Sequence, residues 1–149
     1  MLAELSDKVI QFEGEECKKV KIAGKVNLTD EIAQRNIEIN IRRGLPQLKG
    51  HVPNPEPIVL CVGGPSLKRY IKNIKRRAEK GRMIASVNGT HDFLMEHGIK
   101  PALHVQLDGR PFMSRFVEKP VEGCAYFIAS HSDPSVFDAL EGHLSLIHI

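Results

Sequence analysis

Four times between residues 58 and 143 a short, mostly apolar run ends in a cluster of small polar residues, with glycine in three of the four, and a helix-spaced pattern follows. No other feature constrains the fold as much. Apolar runs too short for a helix, each closed by turn residues, read as strands buried on both faces. The first is Ile58-Val59-Leu60-Cys61-Val62, closed by Gly63-Gly64-Pro65-Ser66; Leu67, Tyr70, Ile71, Ile74 and Ala78 then mark one face of a helix that Gly81 can stop. The second, Met83 to Val87, runs into Asn88-Gly89-Thr90. Thr90 is expected to cap a helix through Phe93, Leu94 and Met95, and Gly98 to close it. The third, Ala102 to Leu107, ends at Asp108-Gly109, and Pro111 is placed to open a helix around Phe112, Met113 and Phe116. The fourth, Ala125 to Ala129, meets Ser130-His131-Ser132-Asp133-Pro134 and a helix through Val136, Phe137 and Leu140. Four strand-helix units in succession predict an α/β fold: a Rossmann-like, open, mostly parallel sheet with flanking helices.

The flanks behave differently. Residues 20–28 alternate weakly enough to suggest a short hairpin turning at Gly24. Thr29 or Asp30 can cap an amphipathic helix carrying Ile32, Ala33, Asn36, Ile37, Asn40 and Ile41, with Arg42-Arg43-Gly44 as its stop. Pro46, Pro53, Pro55 and Pro57 then lack the amide hydrogens that regular structure needs, so a linker follows. Residues 1–55 thus read as a helical N-terminal arm, and 56–143 as the Rossmann-like domain. The closing Leu144-Ser145-Leu146-Ile147-His148-Ile149 resembles the in-frame translation of a sequencing-adaptor end. The expectation is that 144–149 is a non-native tail on a C-terminally truncated domain; the other reading is a short fifth strand.

No apolar run approaches the roughly 20 residues of a membrane span. The N-terminus has no basic segment followed by an apolar core, so the cytoplasm is the default expectation. Cys17, Cys61 and Cys124 are too few and too far apart for a disulfide framework or a metal site, and read as reduced and buried. A net charge of +3 favours anionic ligands, while 5% aromatics and no Trp offer single-stranded nucleic acid few stacking platforms. Small anions are therefore expected rather than nucleic acid.

In an open parallel sheet, ligands sit outside the carboxyl ends of the strands. There Gly63 and Gly64 allow a sharp turn, Pro65 preorganises the first helical turn, and free amides with the Ser66 hydroxyl suit a phosphate or carboxylate. The turn is neither a P-loop nor a full dinucleotide fingerprint, and a plain tight βα turn would look the same. Asn88 can address a base or ribose, or simply make an Asn-Gly turn. Asp108 can hold Mg²⁺ beside phosphate oxygens, or act as a helix cap. His131 is placed to act as acid, base or phosphate partner, whereas His104 reads as a packed histidine. Eight Lys and Arg residues between Lys68 and Arg82 form a solvated helix face, or a surface for a polyanion or a second copy.

The ordered set Gly63-Gly64-Pro65-Ser66-Leu67, Ile84 to Thr90, Leu94 to Pro101 and Val105-Gln106-Leu107-Asp108 resembles the 6-hydroxymethylpterin diphosphokinase MptE-like family. Its relatives include flagellin-glycosylating motility accessory proteins, and the Gly-Pro-Ser-Leu turn with the later Asn is similar to the CMP-binding elements of bacterial sialyltransferases. The resemblance implies a nucleotide held by Gly63, Gly64, Pro65, Ser66 and Asn88, with Asp108 near phosphate or metal. It implies Mg²⁺-dependent diphosphate transfer from ATP to a small-molecule acceptor, with Asp108 on the metal and His131 as a contributor. Two alternatives stay open: a CMP-sugar-dependent glycosyltransferase, and a non-catalytic nucleotide-binding or assembly module, either of which a homo-oligomer would accommodate.

Overall fold

The computed structural model describes residues 28–49 and 55–147. The hairpin expected around Gly24 and Cys17 lie outside them. Strands β1 (Val59–Cys61), β2 (Ile84–Val87), β3 (Leu103–Gln106), β4 (Ala125–Ala129) and β5 (Leu144–Ile147) form one sheet in the order β1-β2-β3-β4-β5, every pair parallel. The fold is α/β with an open parallel sheet and flanking helices. Residues 144–147, set apart by sequence as a tail, pair with β4 from Tyr126↔Leu144 to Ala129↔Ile147.

Strand order that follows chain order, with right-handed crossovers, places the connecting helices on one face. These are α2 (Pro65–Glu79), α3 (Thr90–Glu96), a 3-10 helix (Pro111–Phe116) and α4 (Pro134–Ala139). Register defines that face: Cys61 lies beside Ser86, Ser86 beside His104, and His104 beside Tyr126. Two apolar clusters fill the space beneath the helices. Cys61, Ile74, Ile84, Leu94 and Ile99 pack under α2 and α3; Met113, Val117, Tyr126, Ile128, Val136, Phe137 and Leu140 pack under the 3-10 helix and α4. Burial raises both described thiols above their ordinary range, Cys124 to about 11, as suits inert core residues. The opposite face carries Leu60, Leu103, Val105 and Phe127. Leu60 is 61% exposed, with Ile58 and Val62 also exposed beside it.

The punctuation follows local chemistry. Gly44, Gly81 and Gly98 end α1 (Asp30–Ile41), α2 and α3 with positive φ, a region that side chains resist. Thr29 caps α1, its Oγ1 accepting from the Ile32 amide at 3.4 Å. Two details differ from expectation. The cap of α3 is Gly89, because the Thr90 hydroxyl turns inward: it accepts from the Val87 amide at 2.8 Å and donates toward Cys61 O at 2.9 Å, tying β1 to β2. The segment opened by Pro111 is a six-residue 3-10 helix, ended at Val117, whose amide bonds Ser114 O.

Candidate functional site

A cleft of about 380 Å³ opens at the carboxyl ends of β1 and β2. Val62, Gly63, Leu67, Val87, Asn88, Gly89, Thr90 and Phe93 line it, joining the first two βα turns. Gly64, Pro65 and Ser66 are exposed and begin α2 next to it. No side chain caps α2; Pro65 has no amide hydrogen and the Leu67 amide bonds Gly64 O at 3.1 Å, which leaves the Ser66 amide at the positive end of the helix dipole for a ligand. Asn88 adopts φ 50°, the left-handed region that Asn tolerates better than most residues. Its own amide bonds Val105 O, and its Oδ1 accepts from the Leu107 amide at 3.4 Å. The side-chain NH₂ is thereby left as the donor that Asn88 can offer the cleft.

That same Leu107 leads to a second cluster. Asp108 is clamped by Arg110, with Nε at 2.9 and 3.1 Å from the two carboxylate oxygens and Nη2 also on Oδ2. The guanidinium holds the Asp108 carboxyl below the usual carboxylate range, burial working the other way. His131 Nε2 lies 2.7 Å from Leu107 O, so Nε2 carries the hydrogen and Nδ1 is the free acceptor. Gly109 sits tightly between Leu28 and His131.

The structure therefore brings Gly63 and Asn88 into one cleft with Gly64, Pro65 and Ser66 beside it. Asp108 and His131 form a neighbouring cluster that does not line that cleft, joined to it through Asn88 and Leu107. As arranged, both Asp108 carboxylate oxygens are engaged by the Arg110 guanidinium, so Asp108 could take Mg²⁺ only with Arg110 moved off it. Among the described residues no three His, Cys, Asp or Glu side chains converge as a metal cage.

The family model for "6-hydroxymethylpterin diphosphokinase MptE-like" matches residues 33–148. The chain belongs to this family. A solved structure, described as MAf glycosyltransferase from Magnetospirillum magneticum AMB-1, is similar at 21% identity and a TM-score of 0.59. The match covers 80% of this chain and 20% of that one, so this MptE-like chain spans about a fifth of the solved protein's length. No curated protein matches.

Two polar groups in this MptE-like chain were not singled out as sites by sequence. The first is a clip from α1. Asn40 Nδ2 donates to Ser130 O at 3.0 Å and Ser132 O at 2.7 Å, and Asn36 Nδ2 to His131 O at 3.1 Å. Arg43 adds an ion pair to Asp138 at 2.7 Å. The turn that presents His131 is thus held by a helix some 90 residues away in sequence.

The second lies under the helices. Val121 donates its amide to the Tyr126 hydroxyl at 2.7 Å, so that hydroxyl donates to His91 Nε2 at 2.9 Å, which puts the ring hydrogen on Nδ1, facing Asp92 Oδ1 at 2.9 Å. His104 meets Ser86 Oγ at 2.9 Å and lies 5.2 Å, centroid to centroid, from His91. His104 Nε2 and both amide atoms of Gln106 lack hydrogen-bond partners. Burial and the neighbouring His91 push His104 down to about 4, Gln106 opposing them. The His-Asp pair opening α3 was the available signal for His91, but no spacing rule links it to Tyr126.

Proposed function

We propose that the cleft holds a nucleotide and that this chain contributes the nucleotide-binding part of a transferase, resembling the pterin diphosphokinases in moving diphosphate from ATP to an alcohol. One observation carries the reading: an uncapped helix N-terminus, Gly63 and the Asn88 amide converge on a cleft walled by Val62, Leu67 and Phe93. The apolar wall suits a base, and the amides beside Gly63, Gly64 and Ser66 suit phosphate oxygens. The Asn88 NH₂ can fix a ribose or base oxygen between them. His131, with Nδ1 free, can accept a proton from an attacking hydroxyl, and Arg110 can neutralise charge if a phosphate displaces it from Asp108. Catalysis on this scheme comes from positioning and charge, with no step assigned to a metal.

A second reading is sugar transfer from a CMP-activated donor, favoured by the glycosyltransferase title of the similar solved structure. Calorimetric titration with ATP and with CMP separates the two. Saturable binding of one nucleotide, weakened at least about tenfold in Asn88→Ala, is expected, corresponding to about 1.4 kcal/mol. Binding of neither, or binding indifferent to Asn88→Ala and Ser66→Ala alike, would leave a non-catalytic module as the better account.

A further inference from the structure

We propose that the exposed face of α2 is a sequence-independent docking surface for duplex nucleic acid. Residues 65–82 hold eight cationic side chains and one acid, a net of +7 in a chain of net +3, so everything else sums to −4. The modest overall charge conceals a strongly polar distribution. At about 100° per residue, Lys75, Lys68, Lys72, Arg76, Arg69 and Lys80 fall within roughly 140° of the helix circumference, opposite Leu67, Ile71, Ile74 and Ala78. All six are exposed, and among the described residues none is in an ion pair. A salt-bridged surface would show paired acids here, yet α2 contributes only Glu79.

Three features choose among polyanions. The charges form two rows, Lys68-Lys72-Lys75 and Arg69-Arg76-Lys80, on either side of the helix crest. Side-chain heads about 9 Å from the axis place such rows on the order of 12 Å apart, comparable to the distance across a major groove. A flat bilayer would meet only the crest, which carries no large apolar side chain to insert, and a polybasic patch alone anchors weakly. Protein interfaces are depleted in Lys, while four of these six cations are Lys. Finally, α2 packs on β1, an edge strand of the sheet, rather than over its centre. No Asn or Gln lies on the crest to read base edges, so contacts would go to phosphates.

The test is fluorescence anisotropy of the full chain with a labelled random-sequence 20-base-pair DNA duplex across a salt series. If all six cations neutralise phosphates, log K should fall against log salt with a slope of about −5, a loss near a thousandfold between 50 and 200 mM. Lys68→Glu, Lys72→Glu and Arg76→Glu together should abolish binding at 100 mM salt, with Lys72→Glu alone as a milder check on folding and Lys119→Glu as a control without effect. A parent slope shallower than about −2 would overturn the proposal. So would equal loss in the Lys119 control, or capture by phosphatidylserine vesicles or polyglutamate while the duplex is ignored.

Discussion

His104 makes the folded chain acid-sensitive in a calculable way. Its ring is buried against Ser86, His91, Gln106 and Tyr126, and burial, with the neighbouring His91, lowers it from 6.5 to about 4. A group whose folded value lies below its unfolded value stabilises fully above pH 6.5 and loses that contribution as pH falls toward 4. Proton linkage gives a loss of about 2–3 kcal/mol by pH 4.5, still growing as pH falls through 4. For a small domain of modest total stability that is a large fraction. Urea titrations at steps from pH 7.5 to 4.5 read it directly. In His104→Gln the neutral side chain can still bond Ser86 Oγ, and the stability curve should be flatter over this interval by about 2 kcal/mol. Parallel curves for parent and variant would refute the reasoning.

Two further outcomes follow from packing. Asn40→Ala should cost about 2–3 kcal/mol, because it strips the donor from two carbonyls, Ser130 O and Ser132 O, around a fully buried side chain; a fall in thermal midpoint checks it. Gly109→Ala would set a Cβ 2.9 Å from His131 O and 2.6 Å from Leu28 Cδ2. Leu28 can move, but the His131 backbone can move only with its turn, so a loss of about 1–3 kcal/mol is expected in chemical denaturation.

Much of the sheet was legible because its first four strands are written as short, mostly apolar runs closed by turn residues, a signal carried by each segment alone. The same holds for Gly81 and Gly98 as helix stops. What depends on a partner was not legible. Asn36 and Asn40 occupy helical spacing with Ile32, Ala33, Ile37 and Ile41 and read as one amphipathic stripe, yet the asparagines are the most buried residues of α1 while Ile32 and Ile41 stay nearly half exposed. The reason is that α1 docks on backbone carbonyls, and nothing within the helix announces that. Thr90 offered a cap by its position, but a nearby carbonyl on β1 gave its hydroxyl a better partner. At the candidate site, the individual strand ends were readable. Their division into the Gly63-Asn88 cleft and the Asp108-His131 cluster was not, because it depends on Arg110 folding back onto Asp108.

Strand order that copies chain order has a consequence for how the molecule assembles. Each strand pairs with the next one along the chain, so the sheet can grow unit by unit across one helical crossover at a time. The clip from α1 to residues 130–132 is different, since its acceptor carbonyls belong to a turn that exists only once β4 and α4 have met. A helix of 12 residues is marginal alone in water. Helix α1 emerges about 90 residues before the turn it docks on, and must therefore wait for residues 130–132 before it can settle.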